Sequence, residues 1–106
     1  MSTITLKSLH CEKLQDSISE DEIEVRINGI KVAGPYGVHK NGTVQLGSLT
    51  RTFTGSVNVQ LVELDSNSAE DSLGVRTVTA GPTKDYDTLV FDAAKHAYYT
   101  VQYKVT

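Results

Sequence analysis

Thirteen acidic residues stand against ten Lys and Arg in this 106-residue chain, and the acids are unevenly spread. Asp16, Glu20, Asp21, Glu22 and Glu24 crowd one short stretch; Glu63, Asp65, Glu70 and Asp71 crowd a second. Neither stretch contains a Lys or Arg. Like charges packed this way repel, and a hard cation relieves that repulsion. Ca²⁺ takes about 6–8 oxygen ligands, largely carboxylates. Glu63 and Asp65 are two residues apart at the end of a strand-like run, which points both side chains to one face. Asp71 returns after the polar segment 66–70. These three are candidate calcium ligands. EF-hand spacing is absent, so the site is expected to be of another kind. The competing reading is that the acidic loops are solvated faces that bind nothing specific.

The elements that must position these acids follow a period of two. Ile4 and Leu6, then Leu9 and Cys11, alternate with polar residues, and the slip near Ser8 predicts a bulge. Ile23, Val25 and Ile27 alternate with Glu22, Glu24 and Arg26. Further strand signals fall at Ile30 and Val32, Val44 and Leu46, Val57 to Leu61, Val75 to Val78 (short and irregular), Leu89 and Phe91, and Tyr99 to Val105. Asn28-Gly29, Gly34-Pro35-Tyr36-Gly37, Asn41-Gly42 and Gly81-Pro82 read as turns. Asp92 to His96 is the one stretch compatible with a helical turn. Seven or eight short strands predict a single all-β domain over residues 1–106, an antiparallel β-sandwich, with a barrel as the alternative. Consecutive antiparallel strands reverse direction, so their connections alternate between ends. If Asn28-Gly29 is a hairpin turn, loops 12–22, 34–42, 64–73 and 92–96 share one end. If residues 22–34 are one strand, the two acidic loops lie at opposite ends. The metal reading therefore predicts the hairpin, and with it Asp92 at the acidic end and Asp85 and Asp87 at the other.

The run Val62-Glu63-Leu64-Asp65-Ser66-Asn67-Ser68-Ala69-Glu70-Asp71-Ser72-Leu73-Gly74 resembles the D-x-D pair, short loop, third Asp, apolar residue and Gly of the C2 domain family, a Ca²⁺-binding β-sandwich. Glu63 stands where that family usually has Asp. Residues from Ile4 to Val25 are similar to the first C2 strand and calcium loop. The resemblance implies that Asp16 is the first-loop ligand, with either Asp21 or Glu22 as the second; Glu22 keeps the loop length and Asp21 the residue type. It covers about half of the chain. The chain departs from the family in being shorter and in lacking the Pro that commonly follows the first-loop Asp. It also lacks a basic strand for phosphoinositides, since Lys31, Lys40, Arg51 and Arg76 are scattered, and its loops carry no apolar tips beyond Ile18. The implied set is Asp16, Glu63, Asp65 and Asp71, completed by Asp21 or Glu22.

Other chemistry finds little support. His10, His39 and His96 are far apart and none sits at metal spacing with Cys11, which reads as a small buried hydrophobe. One cysteine excludes an internal disulfide. No G-x-S-x-G, Walker loop or G-x-G-x-x-G occurs. Asp85 and Asp87 read as polar residues entering a strand. Tyr99 and Tyr103 share the face of Val101 and Val105 and read as core or core edge; Tyr98 lies on the other face, and no sugar-binding platform is evident. The net charge of −3 argues against nucleic acid. No apolar run is long enough for a transmembrane segment, and no signal peptide opens the chain, so the cytosol is the expected compartment, with non-classical export compatible. The expectation is a non-enzymatic calcium-binding module whose partner is a protein, a glycan or an anionic lipid. The alternatives are a metal-independent interaction module (adhesion, lectin-like or toxin-associated) and calcium-dependent peripheral membrane binding.

Overall fold

The computed structural model describes residues 1–15, 20–64, 70–94 and 96–106. It contains eight strands: β1 (Ser2–Lys13), β2 (Asp21–Ile27), β3 (Ile30–Val38), β4 (Thr43–Phe53), β5 (Ser56–Glu63), β6 (Asp71–Thr79), β7 (Asp87–Phe91) and β8 (Tyr98–Val105). They form two four-stranded antiparallel sheets, ordered β4-β1-β8-β7 and β3-β2-β5-β6. This is the expected all-β sandwich, with two distinct sheets rather than a closed barrel.

Alternation does what the period of two requires. Ile4, Leu6, Leu9 and Cys11 point inward from β1; Ile23, Val25 and Ile27 meet them from β2, and Val57, Val59 and Leu61 from β5. The slip near Ser8 is real. Lys7 falls out of register against both neighbours, β4 and β8, between Leu6 and Ser8. Asn28 (φ 52°) and Gly29 (φ 81°) close the β2–β3 hairpin with two positive-φ residues, which suits the right-handed twist of the strands.

Three expectations need correction. Gly34 to Gly37 is not a turn but part of β3, which is an edge strand; there Pro35 withholds no ladder donor from a neighbour. Asp92 to His96 forms no helix among the described residues: the Ala93 N–H is taken by Leu73 O at 3.1 Å, which ties the segment to β6. The β6 strand is longer than Val75 to Val78, because Leu73 is the extra residue of a bulge opposite Leu61 and Val62 and is fully buried. Beside that bulge Arg76 stitches the two sheets. Its Nε donates to Val90 O (2.6 Å), its Nη2 to Asp92 Oδ1 (2.9 Å), and its guanidinium lies 5.8 Å from the Phe91 ring centre.

Candidate metal centre

Because the hairpin forms, the β1–β2, β3–β4, β5–β6 and β7–β8 connections lie at one end of the sandwich. Pairs at the ends of the strands fix this: Asp21 opposite Val38, Ile23 opposite Glu63, Glu63 opposite Asp71, and Cys11 opposite Tyr99. The Asn41 N–H donates to Cys11 O at 2.8 Å, so the β3–β4 turn joins the same end. Both acidic stretches therefore meet, as the metal reading requires.

Strand alternation then sorts the acids by face. Asp21 lies on the inward face with Ile23, Val25 and Ile27, and is fully buried. Glu63 is inward on β5, opposite Ile23, and only 6% exposed. Glu22 and Asp71 are exposed. Leu64 N–H donates to Glu22 O at 2.8 Å, which carries the β2–β5 pairing up to the mouth of the β5–β6 loop. Asp16 and Asp65 lie outside the described residues.

Asp21 is held firmly. Its Oδ2 accepts the Tyr99 hydroxyl at 2.5 Å and the Gln15 N–H at 2.7 Å. Cys11 lies directly opposite Tyr99 in the β1–β8 pairing. Burial, then the hydrogen bond to Asp21, pushes the Tyr99 hydroxyl far above its ordinary value, so it stays a proton donor. Burial likewise pushes the Cys11 thiol up, which keeps it protonated and unreactive. A buried carboxylate needs such donors. Tyr99 is thus more than core filling: it reaches across from the other sheet to fix the Asp21 side chain. Its hydroxyl role was invisible to a pattern that sees only which face a tyrosine occupies.

The remaining acids are compensated in a way that the charge count along the sequence hid. Arg26 shares the outward face of β2 with Glu24, and its Nε donates to Glu24 Oε2 at 2.6 Å. Its two terminal nitrogens clasp both oxygens of Glu70 at 3.1 and 2.8 Å, which holds the Glu70 carboxyl below its ordinary range. One arginine thus joins the two acidic stretches. Glu20 faces His39 Nε2 at 3.3 Å. The alternation Glu24-Val25-Arg26 was the available signal; the contribution of Glu70 depends on tertiary pairing.

The inward donors are carboxylate oxygens, a hard set that suits Ca²⁺ or Mg²⁺ rather than a thiolate- or imidazole-bound metal. Among the described residues, no three His, Cys, Asp or Glu side chains converge on a common point. His10 lies on the outer face of its sheet, with its Nδ1 2.7 Å from Thr43 Oγ1. No family model matches the chain, and no curated protein is detectably similar to it.

Proposed function

We propose that this chain is a calcium-binding module that acts by binding rather than by catalysis, its cation held between the β1–β2 and β5–β6 loops. The observation that carries this reading is the placement of Asp21 and Glu63 on the inward face at the end where both acidic loops emerge. Inward carboxylates at a loop mouth are costly in a low-dielectric setting, and a cation offsets that cost. Asp21 is favoured over Glu22 as the first-loop ligand, since it shares the face of Glu63 whereas Glu22 points out to solvent. Asp16, Asp65 and Asp71 complete the proposed set, and calcium supplies charge neutralisation that orders the loops for a partner.

A metal-independent interaction module is the second reading. It is favoured by the Glu24–Arg26–Glu70 clasp, which neutralises part of the acidic end without any metal. A thermal melt in excess EDTA, then in millimolar Ca²⁺, with Mg²⁺ as control, separates the two. A ligand at ~100 times its Kd stabilises the fold by about 2.7 kcal/mol, a rise of roughly 10 °C or more in a domain of this size. That rise should be selective for Ca²⁺ and disappear in Glu63→Gln/Asp65→Asn. Identical melts in EDTA and Ca²⁺ refute the calcium reading and leave the second.

A further inference from the structure

The outer face of the β4-β1-β8-β7 sheet carries a hollow of about 360 Å³. Its walls are Ser8, His10, Thr43, Thr100 and Gln102: three hydroxyls, an imidazole and a carboxamide, with neither a carboxylate nor an apolar side chain among them. That volume falls within the range of small-ligand pockets, ~300–1,000 Å³. The sheet's own irregularity accounts for the concavity. Ser8 follows the bulged Lys7, and across from it Leu46, Gly47 and Ser48 drop out of register on β4, Gly47 and Ser48 with positive φ (65° and 55°). Bulges bend strands and re-aim side chains.

The bulge also throws Lys7 outward beside this hollow. Its Nζ lies 4.8 Å from the centre of the Tyr86 ring, and Lys104 Nζ lies 5.0 Å from the same ring. Lys104 is two residues beyond Gln102 on β8, hence on the same face. Among the described residues no ion pair engages either lysine. Asp85 and Asp87 flank that tyrosine in sequence; Asp85 accepts the Tyr86 N–H and Asp87 the Thr88 N–H, each at 2.8 Å. Two ammonium groups therefore share one aromatic ring in a chain of net charge −3. The strands of this sheet hold Lys7, Lys13, Arg51 and Lys104 against Glu12 and Asp87, whereas the other sheet's strands hold five acids against three bases.

We infer that this hollow binds an anionic saccharide, one or two sugar rings bearing a sulfate, carboxylate or phosphate. Hydroxyls, an amide and an imidazole both donate and accept, which matches sugar hydroxyls that do the same. Lys7 and Lys104 supply the counter-charge for the acidic substituent, and their mutual repulsion is relieved when it arrives. A neutral sugar satisfies the hydroxyl wall but makes no ion pair with the two ammonium groups, so acidic sugars should bind in preference. The site is independent of the calcium reading, because it lies on the outer face of its sheet and shares no residue with the proposed calcium ligands.

The test is titration calorimetry of the full chain in EDTA against a sulfated heparin-type tetrasaccharide, sialyllactose and neutral lactose, with anionic phosphatidylserine vesicles as a further arm. At least one acidic saccharide should bind tenfold or more tighter than lactose. Lys7→Gln/Lys104→Gln should remove that preference, and Gln102→Ala should weaken binding several-fold while leaving the melting curve in place. Lysine dependence without any Gln102 dependence overturns the proposal, because it signals bare charge attraction. So does vesicle binding with no saccharide binding, or the absence of binding to every probe.

Discussion

Tyr99 and Arg26 each hold a carboxylate that the fold has taken partly or wholly out of water, and each makes a definite prediction. Tyr99→Phe removes a donor from the buried Asp21 oxygen. Leaving such a group short costs about 1–3 kcal/mol, and each kcal/mol lowers the melting midpoint of a domain this size by roughly 4–8 °C. The pH dependence has a fixed sign. Burial raises Tyr99, Cys11 and Tyr103 in the fold, so the folded state keeps protons that the unfolded chain gives up. Their contribution is complete below the ordinary values, near 9.0 for the thiol and 10.0 for the phenols, and is lost as pH rises beyond them. Urea midpoints should therefore fall above about pH 9, and Tyr99→Phe should flatten the part of that fall above about pH 10. An unchanged alkaline slope in the variant would show that Tyr99 is not the group responsible. Arg26→Met should destabilise by about 1–3 kcal/mol, because Glu24, whose side chain is only 9% exposed, keeps its charge and loses its nearest cation. Adding Glu24→Gln should restore most of the loss in a double-mutant cycle read by urea denaturation. Glu70→Gln alone should change little, since Glu70 stands half in solvent.

At the scale of elements, glycines in β2–β3 separate two costs that the sequence alone merges. Gly29 has positive φ in the hairpin turn, and a Cβ there meets nothing within 4 Å. Gly29→Ala should cost only the backbone penalty, about 1–2 kcal/mol. Gly34 (φ 99°) lies against β2, and its Cβ falls 2.6 Å from Ile23 O, a backbone atom that cannot yield cheaply. Gly34→Ala should cost clearly more, read as a larger drop in the urea midpoint; equal drops would mean that β3 moves off β2 at little cost. Both glycines sit in turn-like dipeptides, Asn28-Gly29 and Gly34-Pro35, yet only the first is a turn. What was legible was anything governed by local period and turn chemistry: the strands, the Ser8 bulge, the hairpin, and hence the end at which the acids gather. What was not legible depended on partners distant in sequence. Arg26 meets Glu70 across 44 residues and Tyr99 meets Asp21 across 78. Lys7 and Lys104 meet at Tyr86 only because β1 and β8 are neighbours. The inward face of Asp21, which sets it apart from Glu22, follows from the alternation of Ile23, Val25 and Ile27 once β2 is known to begin at Asp21.

Over the whole molecule, charge is sorted by end as well as by sheet. The connections at the acidic end hold Asp16, Glu20, Asp65, Glu70 and Asp92 against Lys40 and Lys95, while those at the opposite end hold only Lys84 and Asp85. Two opposing effects therefore act there. Repulsion among the acids destabilises the fold, whereas the Arg26 and Arg76 pairs stabilise it, at roughly 0.2–1 kcal/mol for each exposed pair. Salt weakens both, so the sign of its effect tells which is larger. The Debye length shrinks from about 30 Å at 0.01 M to about 3 Å at 1 M, and unpaired acids act over longer distances than ion pairs already in contact. In EDTA, raising NaCl from about 0.01 M toward 1 M should therefore raise the melting midpoint by several degrees. The increment due to Ca²⁺ should shrink over the same range, because salt has already removed part of the repulsion that the cation relieves. In Glu63→Gln/Asp65→Asn the salt-induced rise should be smaller, since part of the repelling charge is gone. A midpoint that falls with salt in EDTA would mean that the ion pairs outweigh the repulsion, and that the acidic end is already neutralised by its own arginines.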